Sequence, residues 1–78
     1  MLIIDFELRG EFITLDRLLK ATGLADSGGE AKAMVAAGKV QVDGQEESRK
    51  TCKVRPGQVV AVHGTRVRVL AAQEPAAA

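Results

Sequence analysis

Three stretches of this 78-residue chain carry amides or cations suited to holding an anion, and none carries a catalytic set. In Ser27-Gly28-Gly29 the two glycines lack Cβ atoms. At a helix start they would let a phosphate approach backbone amides where the helix dipole favours negative charge. The plainer reading is that they relax the entry turn. A Walker loop is excluded because no Gly-Lys-Ser/Thr follows, and the longer dinucleotide fingerprint is also missing. Lys20, Lys32 and Lys39 accompany this stretch. Lys20 and Lys39 suit helix C-termini, where cations complement the dipole, whereas Lys32 has no such role. Their spacing permits all three on one face around a helical corner. Arg49, Lys50 and Lys53 form the densest cationic group. On a strand Arg49 and Lys53 would share a face and Lys50 the other, so one patch holding all three needs a bend. Arg66 and Arg68 alternate with Val67 and Val69 and read as the solvent side of a strand, outside the site.

Other reactive types lack partners. Asp16, Asp26 and Glu30 fit helix starts better than acid–base work. His63 and Cys52 each stand alone, with no metal-ligand spacing around them. No nucleophile is paired with a histidine and an orienting carboxylate. The chain is therefore expected to be no enzyme, with no cofactor, metal or small-molecule substrate. Phe6 and Phe12 are its only aromatics, and both are expected in the core. Recognition of bases by stacking, which needs exposed rings, is then not expected.

Formal net charge is +1, but its distribution is uneven: nine of ten acids precede Ser48, while Arg49, Lys50, Lys53, Arg55, Arg66 and Arg68 follow it. Such asymmetry can build a positive surface on a nearly neutral protein. No apolar run approaches membrane-span length, and the leading Leu2–Ile4 run is too short for a signal-peptide core. One cysteine rules out an internal disulfide framework and suits a reducing, cytoplasmic setting.

The elements that must position these residues follow from periodicity. Leu2, Ile4, Phe6 and Leu8 alternate with Ile3, Asp5, Glu7 and Arg9, predicting a first strand with one buried face. Thr14 can cap a short helix with Leu15, Leu18 and Leu19 as its core stripe, ended by Gly23 with Leu24 packing back. Ser27 and Glu30 form a capping-box pattern before Ala31, Met34 and Val35, and Gly38 closes that helix. Val40 and Val42 begin a strand turned by Asp43-Gly44. A further strand is predicted within Glu47–Val54, a reversal at Pro56-Gly57, and strands at Val59–Val62 and Val67–Leu70 joined by His63-Gly64. One domain over residues 1–70 is expected, with 71–78 a loose tail.

In their order, Leu18-Leu19-Lys20, Gly23, Ser27-Gly28-Gly29, Ala31-Lys32, Gly38-Lys39-Val40-Gln41-Val42-Asp43-Gly44, Glu47-Ser48-Arg49-Lys50 and Arg55-Pro56-Gly57 resemble the S-four RNA-binding domain, built on the helix–helix–strand αL motif. The likeness is to its small free-standing bacterial members and spans all but the tail. It implies an α+β fold, two short helices packed on a small mostly antiparallel sheet. It also implies a non-catalytic protein that binds structured RNA, ribosomal or transfer RNA among the candidates. Lys20, Ser27, Gly28, Gly29, Lys32, Lys39, Arg49, Lys50 and Lys53 would meet the RNA, through phosphate and shape contacts more than base reading. Many family members carry Ser-Arg at the second helix start, where the arginine meets RNA; here it is Ser27-Gly28. A protein-interaction module of a ribosome-associated complex is the alternative, docking through the same helical corner.

Overall fold

The computed structural model describes residues 2–72. In chain order the elements are β1 (Leu2–Leu8), β2 (Ile13–Thr14), α1 (Leu15–Ala21), α2 (Gly28–Ala36), β3 (Val40–Val42), β4 (Gln45–Glu46), β5 (Lys53–Val54), β6 (Val59–Val62) and β7 (Thr65–Ala71). Five strands form one sheet in the order β1-β7-β6-β3-β4, and β2 and β5 form a separate two-stranded ribbon. Every pairing is antiparallel except β1 with β7. The architecture is the expected α+β one, with both helices on one face of the sheet.

Two tight hairpins set the register. Val42 faces Gln45 across Asp43-Gly44, and Val62 faces Thr65 across His63-Gly64. Each central pair has positive φ, 52° and 81° in the first, 50° and 72° in the second, the two-residue turn whose twist suits antiparallel strands. Register then sends Val60, Val62, Val67 and Val69 to the core side, where they meet Leu15, Leu18 and Leu19 of α1 and Val35 of α2. Arg66 and Arg68 face outward; Arg68 makes a two-pronged ion pair with Asp5 of β1, at 2.7 and 3.0 Å.

Four expectations need amendment. The alternation in β1 is real, but burial fades along it: Leu8 is buried, Ile4 and Phe6 are half-buried, and Leu2 is 61% exposed because it runs past the helices. The strand foreseen within Glu47–Val54 is reduced to Lys53–Val54, and β4 lies earlier, at Gln45–Glu46, because a two-residue turn places Gln45 directly opposite Val42. The Glu47 amide still donates to the Val40 carbonyl of β3, and residues 48–52 then leave the sheet. Phe6 packs against the core as expected, but Phe12 does not: it is 42% exposed, since Ile13 takes the inward position on β2. The expected tail, 71–78, lies outside the described residues from Gln73 onward; Ala71 ends β7, and the Ala72 amide donates to the Leu8 carbonyl.

Candidate functional site

The helical corner is built from two helices too short to persist alone. Leu15, Leu18 and Leu19 are fully buried, as are Ala31 and Val35, which leaves Lys20 and Lys32 on solvent-facing sides. Gly38 ends α2 at φ 74°. Its amide donates to the Val35 carbonyl and that of Lys39 to Met34, the paired closure typical of a left-handed helix stop.

At the start of α2 the Ser27 hydroxyl accepts the Glu30 amide at 3.2 Å, and the Ser27 carbonyl accepts the Ala31 amide at 3.0 Å. The amides of Gly28 and Gly29, between them, have no partner among the described residues. Of the chain's eight glycines, these are the two without positive φ. A Cβ at Gly28 would meet nothing within 4 Å, and one at Gly29 only the Ser27 hydroxyl at 3.9 Å. Neither backbone conformation nor packing requires glycine here, so the entry-turn explanation has no support. Lys32 lies one helical turn beyond Gly28, and side chains on a helix lean toward its N-terminus. Asp26 and Glu30 are exposed at the same helix start, so the positive end of the dipole is shared with two carboxylates.

The start of α1 is closed differently. Thr14 occupies the cap position, yet its side chain accepts no amide. Instead the Leu15 amide donates to the Cys52 carbonyl at 2.9 Å and the Asp16 amide to the Lys50 carbonyl at 3.0 Å. Residues 48–52, off the sheet, thus serve α1: the Lys50 and Cys52 carbonyls satisfy amides that a helix start leaves open. The Asp16 carboxyl is held below the usual carboxylate range, chiefly by the Thr14 hydroxyl and more weakly by first-turn amides and the Lys50 charge, with burial opposing. One of its oxygens, Oδ1, is buried without a partner.

The pinned loop carries Arg49 and Lys50, and Lys53 opens β5 directly after it; all three are exposed. Glu47 caps it internally: its Oε2 accepts the Arg49 amide at 3.0 Å and the Arg49 Nε at 3.4 Å. The bend required to gather Arg49, Lys50 and Lys53 is present as a turn at Lys50–Thr51. Burial, then Glu47, pushes the half-buried Cys52 thiol up, so it stays protonated near neutrality. A second small network holds the neighbouring turns. Asp43 accepts the Val59 amide at 3.0 Å and the Gln58 Nε2 at 2.9 Å, and Gln58 Oε1 accepts the Arg55 amide at 2.8 Å.

The expected residues thus fall in three places. Arg49 and Lys50 lie on the loop at the start of α1, with Lys53 next along the chain in β5. Ser27, Gly28, Gly29 and Lys32 share the start of α2. Lys20 closes the last turn of α1, and Lys39 follows α2, a helix of nine residues and about 13 Å from Gly28. Two exposed side chains not among those expected lie beside this set: Phe12, over whose ring Lys53 Nζ sits 4.9 Å from the centroid, and Arg55, two residues beyond Lys53. The clue was Phe12-Ile13-Thr14, whose alternation turns the phenylalanine out once Ile13 is assigned inward. Among the described residues no group of three His, Cys, Asp or Glu side chains could hold a metal ion, and no helix is long and apolar enough to cross a membrane.

The chain as a whole is similar to proteins of known family and fold. The S4 domain matches residues 6–70. The protein YbcJ of Escherichia coli (strain K12) is 46% identical over 59 residues, covering 76% of this chain and 84% of YbcJ, and YbcJ of Shigella flexneri matches equally. The solution structure of the Escherichia coli protein, described as revealing an αL motif involved in RNA binding, superposes with a TM-score of 0.63 at 39% identity, covering 91% of this chain and 89% of that one. The 30S ribosomal protein S4e of Thermoplasma acidophilum gives a TM-score of 0.57 at 26% identity over 74% of this chain and 31% of its own.

Proposed function

Because the chain belongs to the S4 domain family, we propose that it is a non-catalytic, cytoplasmic RNA-binding protein that grips structured RNA by its phosphates and shape. The observation that carries the reading is the Gly28–Gly29 pair, two glycines that the fold does not require, with unpartnered amides at a helix start beside Lys32. The loop with Arg49 and Lys50, together with Lys53 of β5, supplies the side-chain charge, and the Leu15 and Asp16 amides fix the loop's course. Lys20 and Lys39 extend the cationic surface at the helix ends. YbcJ, with its αL motif described as involved in RNA binding, supports the same assignment, and the ribosomal S4e likeness favours RNA with secondary structure.

Roughly three to five phosphate contacts correspond to a log–log slope of affinity against salt of about −2 to −5. Titrating a base-paired RNA hairpin at several salt concentrations tests this. A slope in that range supports phosphate gripping, whereas a complex indifferent to salt, or no complex, rules it out.

A further inference from the structure

Phe12 is the chain's one exposed aromatic among the described residues, and it does not stand alone. On the β2–β5 ribbon, Ile13 faces Val54 and Thr14 faces Lys53. Val54 is fully buried, and Ile13 packs against the core, so the ribbon is anchored by one side. Phe12 and Thr14 alternate with Ile13 and therefore take the other side, where Thr14 is opposite Lys53 and Phe12 diagonal to it. Lys53 Nζ lies 4.9 Å from the Phe12 ring centroid, within cation–π range, while the ring remains 42% open to solvent. Lys53 also lines an open cleft of about 370 Å³ with Arg49, Thr51 and Cys52, at the small end of ligand-sized clefts.

We infer that Phe12 and this cleft form a stacking site for one unpaired nucleobase, flanked by cations that hold its phosphates. An aromatic face accepts any base, whereas Arg49, Lys53 and Arg55 are placed to neutralise the backbone on either side of it. Phe12 directly precedes β2, whose back is anchored through Ile13 and Val54. The site rests on the RNA-binding reading and sharpens it: the RNA would be paired, but with a nucleotide free to leave the stack.

The test uses three RNA duplexes of one sequence, one fully paired, one with a single bulged adenosine, and one with an abasic residue at the bulge. Fluorescence anisotropy should find the adenosine bulge bound roughly 5- to 100-fold tighter than the abasic one. Phe12→Ala should abolish that preference without changing affinity for the abasic duplex. Phe12→Trp, the sole tryptophan in a chain with no Trp or Tyr, should keep the preference and be quenched by the adenosine bulge only. Should Phe12→Ala melt early, the wild-type comparison and the Trp signal still decide. Equal affinity for both bulges with normal salt dependence overturns the stacking site and leaves RNA binding intact. No binding to any duplex overturns both.

Discussion

The two helices begin in opposite ways. At the start of α1 the open amides of Leu15 and Asp16 are filled by the Cys52 and Lys50 carbonyls, so that end cannot take an anion through its backbone. What it holds instead is a loop bearing Arg49 and Lys50 and leading into Lys53 of β5. At the start of α2, Ser27 satisfies the Glu30 amide, and those of Gly28 and Gly29 stay open. One helix end thus positions charge, and the other offers amides directly. The starts also differ in their competition. Asp26 and Glu30 crowd the α2 start, whereas among the acids near the loop Glu47 is engaged by Arg49 and Asp16 lies partly buried beneath it. Side-chain attraction should therefore dominate affinity, and the open amides should refine it.

That ordering is best broken by charge reversal. Lys50→Glu with Lys53→Glu should weaken binding of a base-paired RNA hairpin by roughly 100-fold at low salt and reduce the salt slope by about 2, one per lysine. Lys32→Glu should weaken it by roughly tenfold with a change of about 1. All three side chains are exposed, so circular dichroism and melting should be unchanged. An equal or larger loss from Lys32→Glu would make the α2 start the main grip and reverse the comparison.

Glycine substitutions separate folding from binding. Gly38 sits at φ 74°, and an alanine there should cost about 1–2 kcal/mol of stability, because a Cβ strains the left-handed backbone. Gly28→Ala and Gly29→Ala face open space in ordinary helical backbone. They should hold or raise stability, by up to about 1 kcal/mol, while weakening RNA binding severalfold as methyl groups shield the amides. Urea unfolding beside RNA titration reads both effects. Lower stability for the pair with unaltered affinity would mean that the fold, not a ligand, requires these glycines.

How legible each start is follows from the range of the interactions that make it. The α2 start is a local pattern: Ser27, Glu30 and the stripe Ala31, Met34, Val35 lie within nine residues, and the observed cap uses that spacing. The hairpins at Asp43-Gly44 and His63-Gly64 are as readable, because two-residue turns of this kind need residues that tolerate positive φ. The α1 start depends on residues some 35 positions away, and nothing in Thr14-Leu15-Asp16 announces that Lys50 and Cys52 will cap it. A strand was therefore expected where the loop leaves the sheet. Phe12 was misread for a related reason. With only two aromatics in the chain, hydrophobicity favours the core for both, and only the pairing of β2 with β5 shows which side of the ribbon the ring takes.

The smallest effect tests the competition at α2 most directly. Glu30 donates its amide to Ser27, but its carboxylate makes no hydrogen bond or ion pair among the described residues, so Glu30→Gln leaves the cap intact. Removing one exposed charge beside a phosphate is worth about as much as an exposed ion pair, roughly 0.2–1 kcal/mol, which is a gain of about 1.4- to 5-fold in RNA affinity. The gain should shrink as salt rises, because it arises from repulsion between exposed charges. It should also vanish in a Gly28→Ala, Gly29→Ala background if the phosphate no longer reaches the helix start. A gain that persists there would put the phosphate near Glu30 but off the amides, leaving Lys32 as its holder and the glycines without a role in binding.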